Sequence, residues 1–403
     1  MDLKQSECGT IGLFGVSNRE SGYKPKRVAQ LSLLIDHPEF EDPAYLSCQL
    51  ITYIGNKRAL LGHIGYAVEK VKRRIGKSRI RILDAFSGSG AVSRLFKAHA
   101  DLLISNDIED YAVAVAKCYL QNRSSVDMRE LEQVVDELNR KVDAVELPRG
   151  FIEELYAPKD ESSITKQDRV FYTRANARRL DNYRRLIEDV PDYKTLLLGP
   201  LLSEASVHAN TAGVFKGFYK NRKTGIGQFG GTNADALTRI KGQIVLEPPV
   251  LSRFECETQV FQEDANVLVR KLEDLDLAYF DPPYNQHPYG SNYFMLNLLV
   301  NYERPRQVSK VSGIPVNWKR SDYNVRSKAV VKIKDLLEHT DTKYILVSFN
   351  NEGFIEPQEM YEMLNKIGPT EVLNVPYNAF RGSRNLRKRS ILVTEQLFLT
   401  ERC

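Results

Sequence analysis

An apolar run, Leu277-Ala278-Tyr279-Phe280, ends abruptly at Asp281-Pro282-Pro283-Tyr284. The run reads as a buried strand that stops at the tetrapeptide. Pro283 confines Pro282 to an extended conformation, and neither proline donates a backbone hydrogen bond. The chain therefore leaves the strand through a stiff turn at the C-terminal edge of a sheet, where open α/β folds place their ligands. The turn offers a carboxylate, a carbonyl oxygen with no competing N–H, and an aromatic ring. That set suits a planar ring carrying an amino group, with two acceptors for its N–H bonds and one face to stack on. Average composition yields the tetrapeptide in on the order of one chain of this length in a thousand. The plainer alternative is a rigid turn without chemistry.

A second constraint lies two hundred residues earlier. Arg79-Ile80-Arg81-Ile82-Leu83-Asp84-Ala85-Phe86-Ser87-Gly88-Ser89-Gly90 precedes a helical pattern from Ala91. This is strand, glycine turn, helix, and glycines let backbone approach a ligand closely. It is not the full dinucleotide fingerprint, because Arg94 stands in the place of the third glycine. Leu102 to Ser105 reads as the next strand and ends in Asn106-Asp107. Asp107 follows Gly88 at the offset of a carboxylate that grips ribose hydroxyls. An adenosine-bearing ligand without a pyrophosphate fits; Asp107 as the N-cap of a helix over Tyr111 to Leu120 is the alternative. Asp264, after a strand Glu257 to Phe261, either accepts from an adenine amino group or caps the helix that follows.

The 403 residues allow two or three domains. A net charge of +5 is too small to prove a polyanionic partner, so local clustering carries that argument. Five scattered cysteines lack the paired spacing of a zinc site, and no metal is expected. No run is long enough to cross a bilayer. No membrane partner and a cytoplasmic location are expected.

From about Ser125 the character changes to amphipathic helices, over Leu131 to Val142 and over the arginine-rich Phe171 to Ile187. The stretch His208 to Lys223 interleaves cations, aromatics and amides. Lys216, Lys220, Arg222 and Lys223 suit phosphates, and Asn210 suits a base edge. A solvated basic loop is the alternative. Late in the chain, strands are expected over Lys343 to Asn350, Glu371 to Tyr377 and Ser390 to Phe398. Between the last two, Arg381, Arg384, Arg387, Lys388 and Arg389 form the densest positive cluster, a phosphate clamp or a charge-blunted edge.

Taken in order, Tyr53-Ile54-Gly55-Asn56-Lys57, Asp84 to Gly90, Asn106-Asp107, Asp264 and Asp281 to Tyr284 resemble the adenine-N6-specific DNA methyltransferases of the DNA adenine methylase type. The resemblance covers roughly residues 48 to 398. It implies an α/β fold: a Rossmann-like S-adenosylmethionine-dependent methyltransferase sheet with helices on both faces, plus a mostly helical inserted target-recognition domain. The implied division is an N-terminal extension to residue 45, a catalytic domain of 46–122 and 256–403, and the DNA-binding insert 123–255. Tyr53 and Lys57 would border the methionine part of S-adenosyl-L-methionine, with Asp84, Phe86, Gly88 and Gly90 around it. Asp107 would hold the ribose and Asp264 the adenine of that cofactor. Asp281 and the Pro282 carbonyl would hold the target amino group, with Tyr284 stacked on the base. The expected partner is double-stranded DNA, met as a monomer, with a restriction endonuclease paired in function and without stable contact. RNA or a protein glutamine as substrate, and a non-catalytic DNA-binding relative, are the competing readings.

Overall fold

The computed structural model describes residues 41–143, 147–231, 234–283, 285–350, 353–378 and 392–403. Seven strands form one sheet: β1 Ile80–Asp84, β2 Ala100–Asn106, β3 Glu257–Phe261, β4 Leu275–Phe280, β5 Thr342–Asn350, β6 Thr370–Asn378 and β7 Leu392–Glu401. Their order is β3-β2-β1-β4-β5-β7-β6. The pairs from β3 through β5 are parallel, whereas β7 runs antiparallel to both β5 and β6. A mixed sheet with helices on its faces is the α/β arrangement expected, and each strand lies where the apolar runs placed it.

The central strand β4 is buried along its whole length. That is why its sequence reads as a continuous apolar run rather than an alternation. Its side chains serve two cores. Leu277 and Tyr279 face the helix Leu61–Ile75 and Phe96, whereas Ala278 and Phe280 pack with Ile333, Leu336 and Leu337 of the helix Arg326–His339. The parallel half of the sheet points the C-terminal ends of β1, β2, β3 and β4 the same way. The loops after Asp84, Asn106, Phe261 and Phe280 therefore meet at one edge.

A third core lies beside the sheet. Helices Met128–Val142, Arg174–Glu188 and Lys194–Val207 contribute Leu131, Val135, Tyr183, Leu197 and Leu201 to it. Tyr111 and Val115 of the helix Asp110–Tyr119, with Tyr293 and Leu296, belong to the same core. Asp127 caps the first helix by accepting the Glu130 N–H at 3.0 Å. The arginine-rich helix starts at Arg174, later than its apolar pattern, because the Thr173 hydroxyl accepts the Asn176 N–H. Its arginines look inward: Arg184 donates to the Leu299 and Val300 carbonyls, and Arg178 grips the Glu153 carboxylate through two nitrogens at 2.7 Å.

Residues 41–45 were expected in a peripheral extension, yet they are packed. Tyr45 is fully buried and donates its hydroxyl to the Tyr119 carbonyl, and Glu41 accepts the Arg253 N–H. The residue that replaces the third glycine explains this. Arg94 is buried, lies 3.6 Å from the Tyr119 ring centroid, and donates to the carbonyls of Tyr45, Cys48 and Gln49. The earlier part of the extension lies outside the described residues.

Candidate active site

At the convergent edge lies a cavity of 340 Å³. Tyr53, Lys57, Phe86, Gly88, Asp107, Asp264 and Asp281 all line it, although they come from separate stretches of chain. The glycine loop forms one wall. Gly88 has φ +49°, and a Cβ there would sit 2.9 Å from the Tyr53 hydroxyl. The loop needs glycine at that point for both reasons. Gly90, at φ +77°, does not line the cavity; it lets the following helix approach Val115.

Asp107 is tied to that loop. Its Oδ2 accepts the Gly88 N–H at 2.8 Å and its Oδ1 the Glu109 N–H at 3.0 Å. It is therefore no cap of the helix Asp110–Tyr119, which begins at Glu109 without a side-chain cap. Burial lifts its carboxyl above the usual range against the pull of those N–H groups. Asp264 caps the helix that follows, its Oδ1 accepting the Asn266 N–H at 2.9 Å, and it also lines the cavity.

Asp84 requires a correction. It is fully buried behind the loop and does not line the cavity. Ser93 donates to its Oδ2 at 2.6 Å, while Oδ1 has no hydrogen-bond partner among the described residues. Desolvation pushes its carboxyl up to about 7. Its position suits it to hold the loop rather than to touch a ligand.

Asp281 emerges from β4 with its side chain 18% exposed. Lys57, only 4% exposed, places Nζ 2.9 Å from Asp281 Oδ1 and 2.9 Å from Glu395 Oε1. Burial raises the Asp281 carboxyl to about 6; Lys57 pulls it down and the Glu395 charge pushes it up. Pro283 lines the cavity, whereas Pro282 is buried behind it, beside Phe349 and Ile355. Tyr284 lies outside the described residues.

Further lining residues had no signal in the sequence. Tyr53 lies nearly parallel to Tyr289 and to Tyr293, with ring centroids at 5.0 and 4.7 Å, and those two rings lie 6.1 Å from each other. Lys319 to Asn324 close one side: Lys319 Nζ donates to Asp110 Oδ1, Tyr323 meets Phe86 edge-on, and Asn324 donates to the Asn285 carbonyl just past the tetrapeptide. Glu109 also lines the cavity, holds the Asn297 amide at 2.7 Å, and is pushed up to about 7 by burial.

The chain matches the D12 class N6 adenine-specific DNA methyltransferase family over residues 53–363. It belongs to that family. Its reaction class is therefore the methylation of adenine N6 in DNA, and the RNA, protein-glutamine and non-catalytic readings fall away. This D12 methyltransferase is 28% identical over 341 residues to the Type II methyltransferase M.NlaIII of Neisseria lactamica, covering 83% of this chain and 93% of that protein. It is 27% identical to the Type II methyltransferase M.CviAII of Paramecium bursaria Chlorella virus 1, over 82% and 93% of the two chains. The modification methylase StsI of Streptococcus sanguinis is 27% identical over 87% of this chain, which spans 52% of that longer protein.

Of the residues expected at DNA, Lys216, Lys220, Arg222 and Lys223 are exposed. The last three ride a hairpin in which Lys220 pairs with Gly227 and Gly225 turns at φ +70°. Asn210 is a correction. It is fully buried, donates to the Val170 and Gln228 carbonyls and accepts the Gly230 N–H. Its amide is spent on shaping the loop, so it has no edge to offer a base. Arg381, Arg384, Arg387 and Lys388 lie outside the described residues. No helix among the described residues is long and apolar enough to cross a membrane, and no cluster there could hold a metal ion.

Proposed function

We propose that the D12 methyltransferase binds S-adenosyl-L-methionine in the 340 Å³ cavity and methylates N6 of an adenine turned out of duplex DNA, at specific sites. One observation carries this reading: the Asp281 carboxylate opens into the cavity that the Gly88 loop and Asp107 line. The donor set suits the cofactor. Asp107 keeps acceptor capacity for ribose hydroxyls, Phe86 offers an apolar wall, and Asp264 supplies an acceptor for an adenine amino group. When bound, that group supplies a sulfonium methyl.

The chain's residues do the rest. Adenine N6 is a poor nucleophile because its lone pair is delocalised into the ring. Asp281 and the Pro282 carbonyl accept its two N–H bonds, favour a pyramidal nitrogen and stabilise the positive charge that develops there. Transfer of the sulfonium methyl to N6 would break its bond to sulfur, whose electron pair would stay on the departing thioether, and the one N6 proton released would pass to Asp281 or to water. A carboxyl raised to about 6 is still mostly ionised at neutral pH, yet more basic than a free aspartate. Extrusion of the base costs a few kcal/mol, which stacking on Tyr284 would offset by about 1–3 kcal/mol.

Residues 123–255 form the target-recognition insert within a catalytic domain of 46–122 and 256–403. Lys216 and the hairpin cations Lys220, Arg222 and Lys223 contact phosphates, joined by Arg381, Arg384, Arg387 and Lys388. The names of the relatives, a Type II methyltransferase and a modification methylase, support a role in DNA modification. In this reading the enzyme works as a cytoplasmic monomer, paired in function with a restriction endonuclease that it does not stably contact. The test is Asp281→Ala. It should bind S-adenosyl-L-methionine as tightly as the parent by calorimetry while methylation of duplex DNA is lost. Full methylation by that variant would refute the assignment.

A further inference from the structure

Lys57 is not the end of the chain of contacts behind Asp281. On its far side the ammonium meets Glu395 Oε1 at 2.9 Å, and Glu395 is completely buried. The same oxygen accepts a hydrogen bond from the Ser348 hydroxyl at 2.7 Å. Glu395 stands on β7 opposite Asn350, and Ser348 stands on β5 opposite Leu397, so the two are diagonal neighbours on one face. β5 in turn pairs with β4, whose last residue Phe280 lies opposite Val347. Asp281, Ser348 and Glu395 thus lie in a row across three adjacent strands, and Lys57 spans the row from the loop before the helix Leu61–Ile75. Glu395 lies beyond residue 363, where the family match ends.

We propose that Glu395, supported by Ser348, is a positioning residue for methyl transfer: it holds the Lys57 ammonium to one side, so that Lys57 engages Asp281 Oδ1 and leaves the other carboxylate oxygen for the target amino group. A lysine is a compact charge on a flexible four-carbon stem with three donors. One partner does not fix its direction. With Asp281 alone it is free to sit between both carboxylate oxygens and compete with the substrate for them. A second carboxylate, immobile because it belongs to the sheet and is oriented by a serine, removes that freedom. The arrangement costs the desolvation of three charges, which folding alone does not require. It suits a site where an acceptor must be aimed to within a fraction of an ångström.

This inference rests on the reading of Asp281 as the acceptor for the target amino group. Its test uses Glu395→Gln, Glu395→Asp and Ser348→Ala in the full chain. The readouts are melting temperature, affinity for S-adenosyl-L-methionine by calorimetry, affinity for duplex DNA by anisotropy, and the single-turnover methylation rate. Glu395→Gln should slow single turnover by about a hundredfold while both affinities stay within about twofold. Glu395→Asp, which restores the charge, should recover part of the rate. Ser348→Ala keeps every charge and guards against a misfolded glutamate variant; it should slow the rate by about tenfold. An unchanged rate in Glu395→Gln overturns the proposal. So does a loss of rate matched by lost melting temperature and affinity, with Ser348→Ala at full rate. If Asp281→Ala itself methylates DNA, the acceptor reading has failed instead.

Discussion

The Gly88 N–H donates to Asp107 Oδ2 at 2.8 Å, which locks the glycine loop after β1 to the end of β2. The Asp107 carboxylate, proposed to hold the ribose, is thus also a structural strut, with its other oxygen on the Glu109 N–H at 3.0 Å. Asp107→Ala should therefore do two things at once. Two backbone donors left without an acceptor should lower stability by about 1–3 kcal/mol, seen in urea denaturation. Affinity for S-adenosyl-L-methionine should fall in calorimetry. A variant with parental affinity would show that Asp107 is a strut only.

The pH dependence has a definite sign. In the proposed mechanism Asp281 acts as an ionised acceptor, the form that stabilises positive charge developing on N6, and its carboxyl is raised to about 6. Activity, read as kcat/KM, should be full above that pH and fall as pH drops through it. Asp84, raised to about 7, interacts with Asp281, so the acidic limb belongs to the pair. Lys57 lowers the Asp281 value, so Lys57→Met should move the limb to higher pH. Titration of Asp281 does not itself drive unfolding in this window. The native state binds the Asp281 proton more tightly than the unfolded chain, with its ordinary value of 3.8, and this group favours folding as pH falls from about 6 toward 4. A limb left in place by Lys57→Met would contradict this account.

The exposed cations and the buried amide of the basic loop should separate cleanly. Replacing Lys220, Arg222 and Lys223 by alanine should weaken DNA binding across all sequences. The slope of log affinity against log salt should drop by about one for each phosphate that no longer meets a cation. Asn210→Ala should leave that slope alone and lower stability by about 1–3 kcal/mol, because buried backbone groups are then left unpaired. Anisotropy titrations at several salt concentrations, beside thermal melts, distinguish the two. An unaltered salt slope in the triple variant would remove this hairpin from the DNA interface.

Arg94 should anchor the segment before the first strand. Arg94→Leu strands the carbonyls of Tyr45, Cys48 and Gln49 and removes the cation from the Tyr119 ring. Stability should fall by on the order of 3 kcal/mol, and limited proteolysis should cut sooner between residues 41 and 50. Parental protease resistance would show that other interactions hold the segment.

Short-range patterns were enough to locate the seven strands, the glycine turn and the tetrapeptide. Buried strands declare themselves by apolar runs, and turns by proline and glycine, because both signals arise from backbone sterics and burial within a few residues. The same sequence also brought Tyr53, Lys57, Phe86, Gly88, Asp107, Asp264 and Asp281 forward, and they converge on one cavity. Partnership across the sheet was decided only by tertiary structure. Nothing local says that Lys57 spends its charge on Asp281 and Glu395, that Asn210 is buried, that Asp84 sits behind the loop, or that Lys319 to Asn324 close the site. A polar side chain's role depends on which distant groups remove it from water, and strand order and register, not neighbouring residues, determine those groups.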